Sequence, residues 1–132
     1  MLLLFLYIVY ILLTEIFCRS SMSTMTLHAK DFPGQVEIID LRTLFPLDEE
    51  LIFQRVKEHG KCLVLTEEQQ YNSFAEALAG RISAACFSFL DSPVAVMGAL
   101  NTPAIPLNME LEKAILPNAK KVSEKINQLL SY

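Results

Sequence analysis

The chain opens on an unbroken apolar run, Met1 to Leu13, which Thr14 and Glu15 end. A helix across the hydrocarbon core of a bilayer needs about 20 such residues, so this run is short for a membrane span. A secretory signal requires a basic stretch ahead of the apolar one, and here the run begins at the first residue. Three readings stand for this head: a buried strand or helix of the folded domain, a truncated or non-native start, or a membrane segment. With only three strands legible further on, the first reading gives the head a structural task.

From Asp31 onward the pattern changes period several times. Pro33 and Gly34 form a turn, and Val36 to Leu41 (VEIIDL) is a β-branched, mostly apolar run of the kind found in a buried strand. Asp48 is placed to cap a helix, with Glu49 and Glu50 at its positive end and Gly60 as its stop. Within it Ile52 and Val56 form a stripe beside Leu51 while Arg55, Lys57 and Glu58 face water. Lys61 to Thr66 (KCLVLT) reads as the next buried strand. Ser73 caps a second predicted helix, whose core stripe is expected to be Phe74, Leu78, Ile82, Ala85 and Phe89. Val94 to Met97 comes next as a short strand that Gly98 ends. Pro117 opens a last helix, with Val122, Ile126, Leu129 and Leu130 on one face and Lys120, Lys121 and Lys125 on the other.

Strand and helix thus alternate with short connections, which implies right-handed crossovers and a parallel sheet. The expected fold class is α/β, a three-layer α/β/α sandwich with a mostly parallel sheet and helices on both faces. At 132 residues the chain has room for one such domain.

Composition narrows the function. Apolar residues make up 52% of the chain, too many for a disordered segment. The net charge of −4 and the lack of a basic cluster argue against nucleic acid as a partner. Cys18, Cys62 and Cys86 are an odd set without metal-ligand spacing, consistent with buried thiols in a reducing, cytoplasmic compartment.

Motifs for catalysis are missing: the chain has no GxGxxG, GxxxxGK[ST], GxSxG or HExxH, and four glycines leave little material for a phosphate-cradling loop. His28 and His59 stand in unlike contexts, and His59 precedes the helix-ending Gly60, where an imidazole serves the negative helix end. No catalytic or metal-ligating residue is singled out. The richest polar stretch is Thr66 to Ser73, a loop after a strand that shares the carboxyl-end sheet edge with Asp40 to Thr43. Arg42 paired with Glu67 there makes either an interface loop or a solvated cluster that only fixes the chain. Asn101 to Pro106 (NTPAIP), with two prolines, is an extended connector or a preorganised contact surface.

Five blocks in fixed order carry a resemblance: Val36 to Asp48 (VEIIDLRTLFPLD), Leu65 to Phe74 (LTEEQQYNSF), Asp91 to Gly98 (DSPVAVMG), Asn101 to Pro106 and Leu116 to Asn118 (LPN). Together they resemble the C-terminal domain of the transketolase-like family. More narrowly, they look like the beta part of the thiamine diphosphate-dependent first component of 2-oxo acid dehydrogenase complexes, the pyruvate or branched-chain type. The resemblance covers residues 27–132. It leaves residues 1–26 apart, because the family begins this domain with a strand, a Thr-Tyr-Gly type turn and a helix, and the head lacks that turn. A truncated or misread start is the corresponding expectation.

The resemblance implies an assembly and partner-docking domain that is not catalytic alone. Thiamine diphosphate and magnesium belong to other domains of the parent enzyme, and none is expected in this chain. The implied partners are a second copy or other dehydrogenase subunits, and the subunit-binding domain of the lipoyl acyltransferase. Asp91 matches the family's acidic contact to that basic partner, and Tyr132 the terminal position whose carboxylate also meets it. Glu67 matches a glutamate common after the third block's strand, although Gln69 to Ser73 replaces the glycine-rich run usual beyond it. Two other classes of function stay open: a stand-alone α/β enzyme using Arg42, Glu67 and Glu68 as acid or base, and an interaction domain tethered to a membrane by Leu2 to Leu13.

Overall fold

The computed structural model describes residues 8–13, 32–104 and 106–132. Four strands form one sheet in the order β2-β1-β3-β4, with β1 at Ile8–Leu13, β2 at Val36–Asp40, β3 at Lys61–Gln69 and β4 at Ala95–Ala99. Every pairing is parallel. The apolar head therefore supplies an interior strand: Ile8 is in register with Val36 on one side and Lys61 on the other. A β-branched, aliphatic hexapeptide suits a strand with neighbours on both edges. For Ile8–Leu13 this replaces the membrane-anchor reading, and no described helix is long and apolar enough to cross a membrane. Cys18, His28 and the expected domain boundary near residue 26 lie outside the described residues.

Among the described residues there are four α-helices: α1 (Glu49–His59), α2 (Phe74–Cys86), α3 (Met109–Ile115) and α4 (Ala119–Leu130). The alternation of β3 sorts them into layers, because successive side chains on a strand point to opposite faces. Cys62 and Val64 pack with Ile52 and Val56 of α1 and Leu78 and Ile82 of α2, whereas Leu63 and Leu65 pack with Val122, Ile126 and Leu129 of α4. The result is the three-layer α/β/α sandwich.

Helix ends obey their local chemistry. Asp48 accepts from the Leu51 amide, Ser73 from Glu76 and Asn118 from Lys121, so three side-chain caps satisfy amides that a first turn leaves free. Asn118 rather than Pro117 is the α4 cap. Gly60 ends α1 with φ at 74°, a left-handed conformation that glycine adopts without steric cost.

Three expectations need correction. The buried face of α2 is Ala75, Leu78, Ala79, Ile82 and Cys86, whereas Ala85 is exposed and Phe89 half exposed. The helix ends at Cys86 and tightens into a 3₁₀ turn at Phe87–Phe89, which breaks the spacing that would have turned Phe89 inward. Gly98 lies inside β4 instead of ending it, and a Cβ there would stand 2.6 Å from the Glu68 carbonyl oxygen and 3.0 Å from Gln70 Cα. Finally, α3 has no counterpart in the apolar pattern, since none of its seven residues is buried; its signal was Asn108, whose side chain accepts from Glu110 and Leu111.

Candidate functional site

Asp91 and Tyr132 are far apart in sequence and come to one edge of the sheet, where the parallel strands begin. Two consecutive residues, Gly60 and Lys61, place them there. The Asp91 amide donates to the Gly60 carbonyl at 2.8 Å. A Cβ on Gly60 would crowd the Asp91 carboxyl carbon at 3.0 Å, so the carboxylate can lie over the turn only because glycine occupies it. Lys61, the first residue of β3, is 2% exposed, and its Nζ donates to the Leu130 carbonyl at 3.4 Å. That carbonyl belongs to the last turn of α4, whose negative end a cation suits. Tyr132 stands just beyond it, 72% exposed, its amide donating to Leu129 O at 3.4 Å.

The same edge carries an ionic cluster on the α1 side. Glu37 of β2 holds His59 Nε2 and, at 3.5 Å, Arg55 Nε, while Arg55 also meets Glu58 at 2.8 Å. The Gln54 amide and the Arg55 guanidinium hold the Glu58 carboxyl below its usual value. These bonds tie the end of α1 to the sheet immediately before Gly60. Beyond Asp91, Phe87 is 81% exposed and Phe89 lies under Lys57, with Nζ 5.5 Å from the ring centroid.

Arg42 and Glu67 lie at the opposite, carboxyl edge. Arg42 pairs with Asp40, the last residue of β2, Nε to Oδ2 at 3.2 Å and amide to Oδ1 at 3.3 Å, in place of the expected pair with Glu67. Thr66 to Gln69 belong to β3 rather than to a loop. The connection from β3 to α2 is held internally: the Phe74 amide donates to Glu68 Oε2 at 3.3 Å, Asn72 to Glu76 Oε2 at 2.6 Å and Tyr71 to Asn101 Oδ1 at 3.3 Å. Arg42 and Glu68 are thus each committed to neighbouring chain, an arrangement that fixes a loop.

Cys62 and Cys86 are buried and free, and burial pushes both thiols up, away from the reactive thiolate. Among the described residues no three His, Cys, Asp or Glu side chains are gathered as a metal site would require. Sequence reasoning missed Lys61 altogether. Its only signal was a lysine at the head of a run otherwise fit for the interior.

The chain matches the family described as transketolase, C-terminal domain, over residues 19–122. It is 33% identical over 95 residues to the 2-oxoisovalerate dehydrogenase subunit beta of Bacillus subtilis (strain 168), covering 72% of this chain and 29% of that protein. To the pyruvate dehydrogenase E1 component subunit beta of Rickettsia felis it is 29% identical, over 73% of this chain and 29% of the relative. The chain therefore spans less than a third of the length of either relative. A solved structure, "Split gene transketolase, inactive beta4 tetramer", superimposes with a TM-score of 0.68 at 14% identity, over 96% of this chain and 40% of that one, and shows the same fold. From the parallel sheet and its two helical layers to the ordered blocks of sequence, the chain belongs to the transketolase C-terminal domain family.

Proposed function

We propose that this domain is the C-terminal assembly and docking part of a thiamine diphosphate-dependent 2-oxo acid dehydrogenase, the enzyme that oxidatively decarboxylates a 2-oxo acid and passes the acyl group to a lipoyl arm. Its similarity to beta subunits of 2-oxoisovalerate and pyruvate dehydrogenases supports this reading. The observation that carries it is the convergence of Asp91 and Tyr132 on one sheet edge through Gly60 and Lys61. There the exposed Asp91 carboxylate, with Tyr132 on the same edge after α4, presents negative charge to a cationic partner, the subunit-binding domain of a lipoyl acyltransferase. Exposed carboxylates steer such a partner and set its register more than they add raw affinity.

The cofactor and its magnesium are held by other domains in this reading. Among the described residues, Asp40 and Glu68 at the carboxyl edge accept from the Arg42 and Phe74 amides. Catalysis then needs the rest of the enzyme, while this domain contributes the contact between copies or subunits. Cys62 and Cys86, buried and free of a disulfide, fit a reducing cytoplasm.

The test is to immobilise a recombinant subunit-binding domain of a lipoyl acyltransferase and pass the full chain over it. Binding that weakens with salt, and falls roughly fivefold in Asp91→Asn, is expected for an exposed charge pair. Tight, metal-dependent binding of thiamine diphosphate by the chain alone in calorimetry sinks the reading, as does absence of any docking.

A further inference from the structure

The 3₁₀ turn that follows α2 leaves the Phe87 ring exposed, and Phe87 and Asp91 line one surface cavity of about 470 Å³. The rest of its apolar lining is Leu90, Pro93 and Val94. Leu90 and Val94 also pack against the buried cluster of Ile52, Val56, Leu78 and Ile82, so the cavity reaches the rim of the core instead of lying on a flat surface.

Polar groups in this lining are few and unevenly used. The Ser83 hydroxyl donates within its own helix, to Ala79 O at 2.8 Å. Ser92 is 5% exposed, yet its hydroxyl reaches only the carbonyl of the next residue, Pro93, at 3.5 Å, which is beyond a good hydroxyl bond. Asp91 is held through its amide by Gly60 O at 2.8 Å, and its carboxylate has no ion-pair partner among the described residues. No base lines the cavity beside it, and the nearby Lys57 already stands over Phe89. A lone exposed carboxylate contributes little affinity to a complex. Tight contact comes from an apolar side chain seated in a pocket, and here the unpaired acid and the apolar hollow are parts of one lining.

We propose that this cavity seats an apolar side chain of the same cationic partner that Asp91 steers, adjacent to the basic group that meets the carboxylate. The inference rests on docking at Asp91 and adds the share of that interface which salt does not screen. Surface buried on Phe87, Leu90 and Val94 holds the partner, and Asp91 sets its register. The poorly bonded Ser92 hydroxyl is left to meet a main-chain carbonyl of the incoming segment.

The experiment passes the full chain over an immobilised subunit-binding domain of a lipoyl acyltransferase, at low salt and at about 1 M salt, where charges are screened beyond about 3 Å. The wild type is expected to keep measurable binding at high salt. Phe87→Ser removes one wall, and Ser83→Leu fills the hollow from half-buried α2. Each weakens binding roughly fivefold at both salts and leaves the salt dependence unchanged. Asp91→Asn does the reverse, flattening the salt dependence while binding at high salt stays as in the wild type. Circular dichroism checks the fold of each variant, and Phe87→Ser, at an exposed position, decides alone if Ser83→Leu does not fold. The proposal is overturned if the folded cavity variants bind like the wild type while Asp91→Asn binds more weakly, a result that leaves docking by charge alone. It is overturned equally if nothing binds at high salt. Absence of docking at low salt removes it together with the reading beneath it. A dimer in sedimentation that Phe87→Ser dissolves assigns the cavity to a second copy and overturns it too.

Discussion

The buried ammonium of Lys61 donates to the main-chain carbonyl of Leu130, joining the first residue of an interior strand to the last turn of the C-terminal helix. That bond fixes where the chain end emerges. Replacing it by Lys61→Met keeps the side-chain length and removes charge and donor. Relief of the lysine's desolvation offsets the lost bond, so global stability is expected to change by less than about 1 kcal/mol. The last turn frays instead: hydrogen exchange at the Ser131 and Tyr132 amides rises roughly tenfold, measured by NMR. Unchanged exchange at those two amides counts against the role given to Lys61.

Glycines in three settings separate three effects. Gly98→Ala drives a Cβ to 2.6 Å from the Glu68 carbonyl oxygen, between backbones that have no room to move. It is expected to cost about 2 to 3 kcal/mol in urea unfolding. Gly60→Ala combines a φ of 74° with a clash against the Asp91 carboxylate, and should lose about 1 to 2 kcal/mol. Gly80, on the exposed side of α2, has nothing within 4 Å of a new Cβ, so Gly80→Ala should add about 0.5 to 1 kcal/mol.

The rotated face of α2 is tested by a pair of truncations. Ile82→Ala removes a side chain with no exposure and is expected to cost about 2 to 5 kcal/mol. Phe89→Ser removes a larger one that is 52% exposed, at the expense of its contact with Lys57. Its cost should stay near 1 kcal/mol. Equal losses at the two positions restore the simple four-residue stripe.

Alkali offers a further test through Cys62. Burial raises its thiol above the ordinary value of 9.0, so the folded state keeps the neutral form after the unfolded chain has begun to ionise. The stability this gives is fully present below about pH 9 and is lost as pH rises further. Cys62→Val should flatten that part of the pH profile of the urea midpoint. A profile identical to the wild type refutes it. Thiol reagents should likewise modify Cys62 in the native chain only as fast as it opens.

Acid acts through Glu58 with the opposite sign. Gln54 and Arg55 lower its pKa from 4.5, so its contribution is present above that value and disappears as pH falls through the folded one. The Glu58 carboxyl should titrate below 4.5 by NMR, and Glu58→Gln should reduce the acid dependence of unfolding.

The sequence by itself determined what short-range chemistry governs. Asp48 and Ser73 cap helices because their oxygens reach amides three residues on, and Gly60 stops α1 because its φ is positive. The apolar runs at Val36 and Lys61 declare parallel strands, of which Lys61–Gln69 is largely buried and Val36–Asp40, at the sheet's edge, only half-buried, and the ordered blocks declare the family. Tertiary structure decided what depends on neighbours distant along the chain. Strand pairing on both sides turned an ambiguous apolar head into an interior strand. The fit of α2 between sheet and α1 chose small Ala75 and Ala79 and buried Cys86 over Ala85 and Phe89. Arg42 turned to Asp40 because a carboxylate two residues away is always within reach, whereas Glu67 lies on another strand. Asp91 and Tyr132 share an edge only because strand order puts Gly60 and Lys61 between them. No periodicity encodes that relation, since it rests on contacts closed by folding rather than on spacing along the chain.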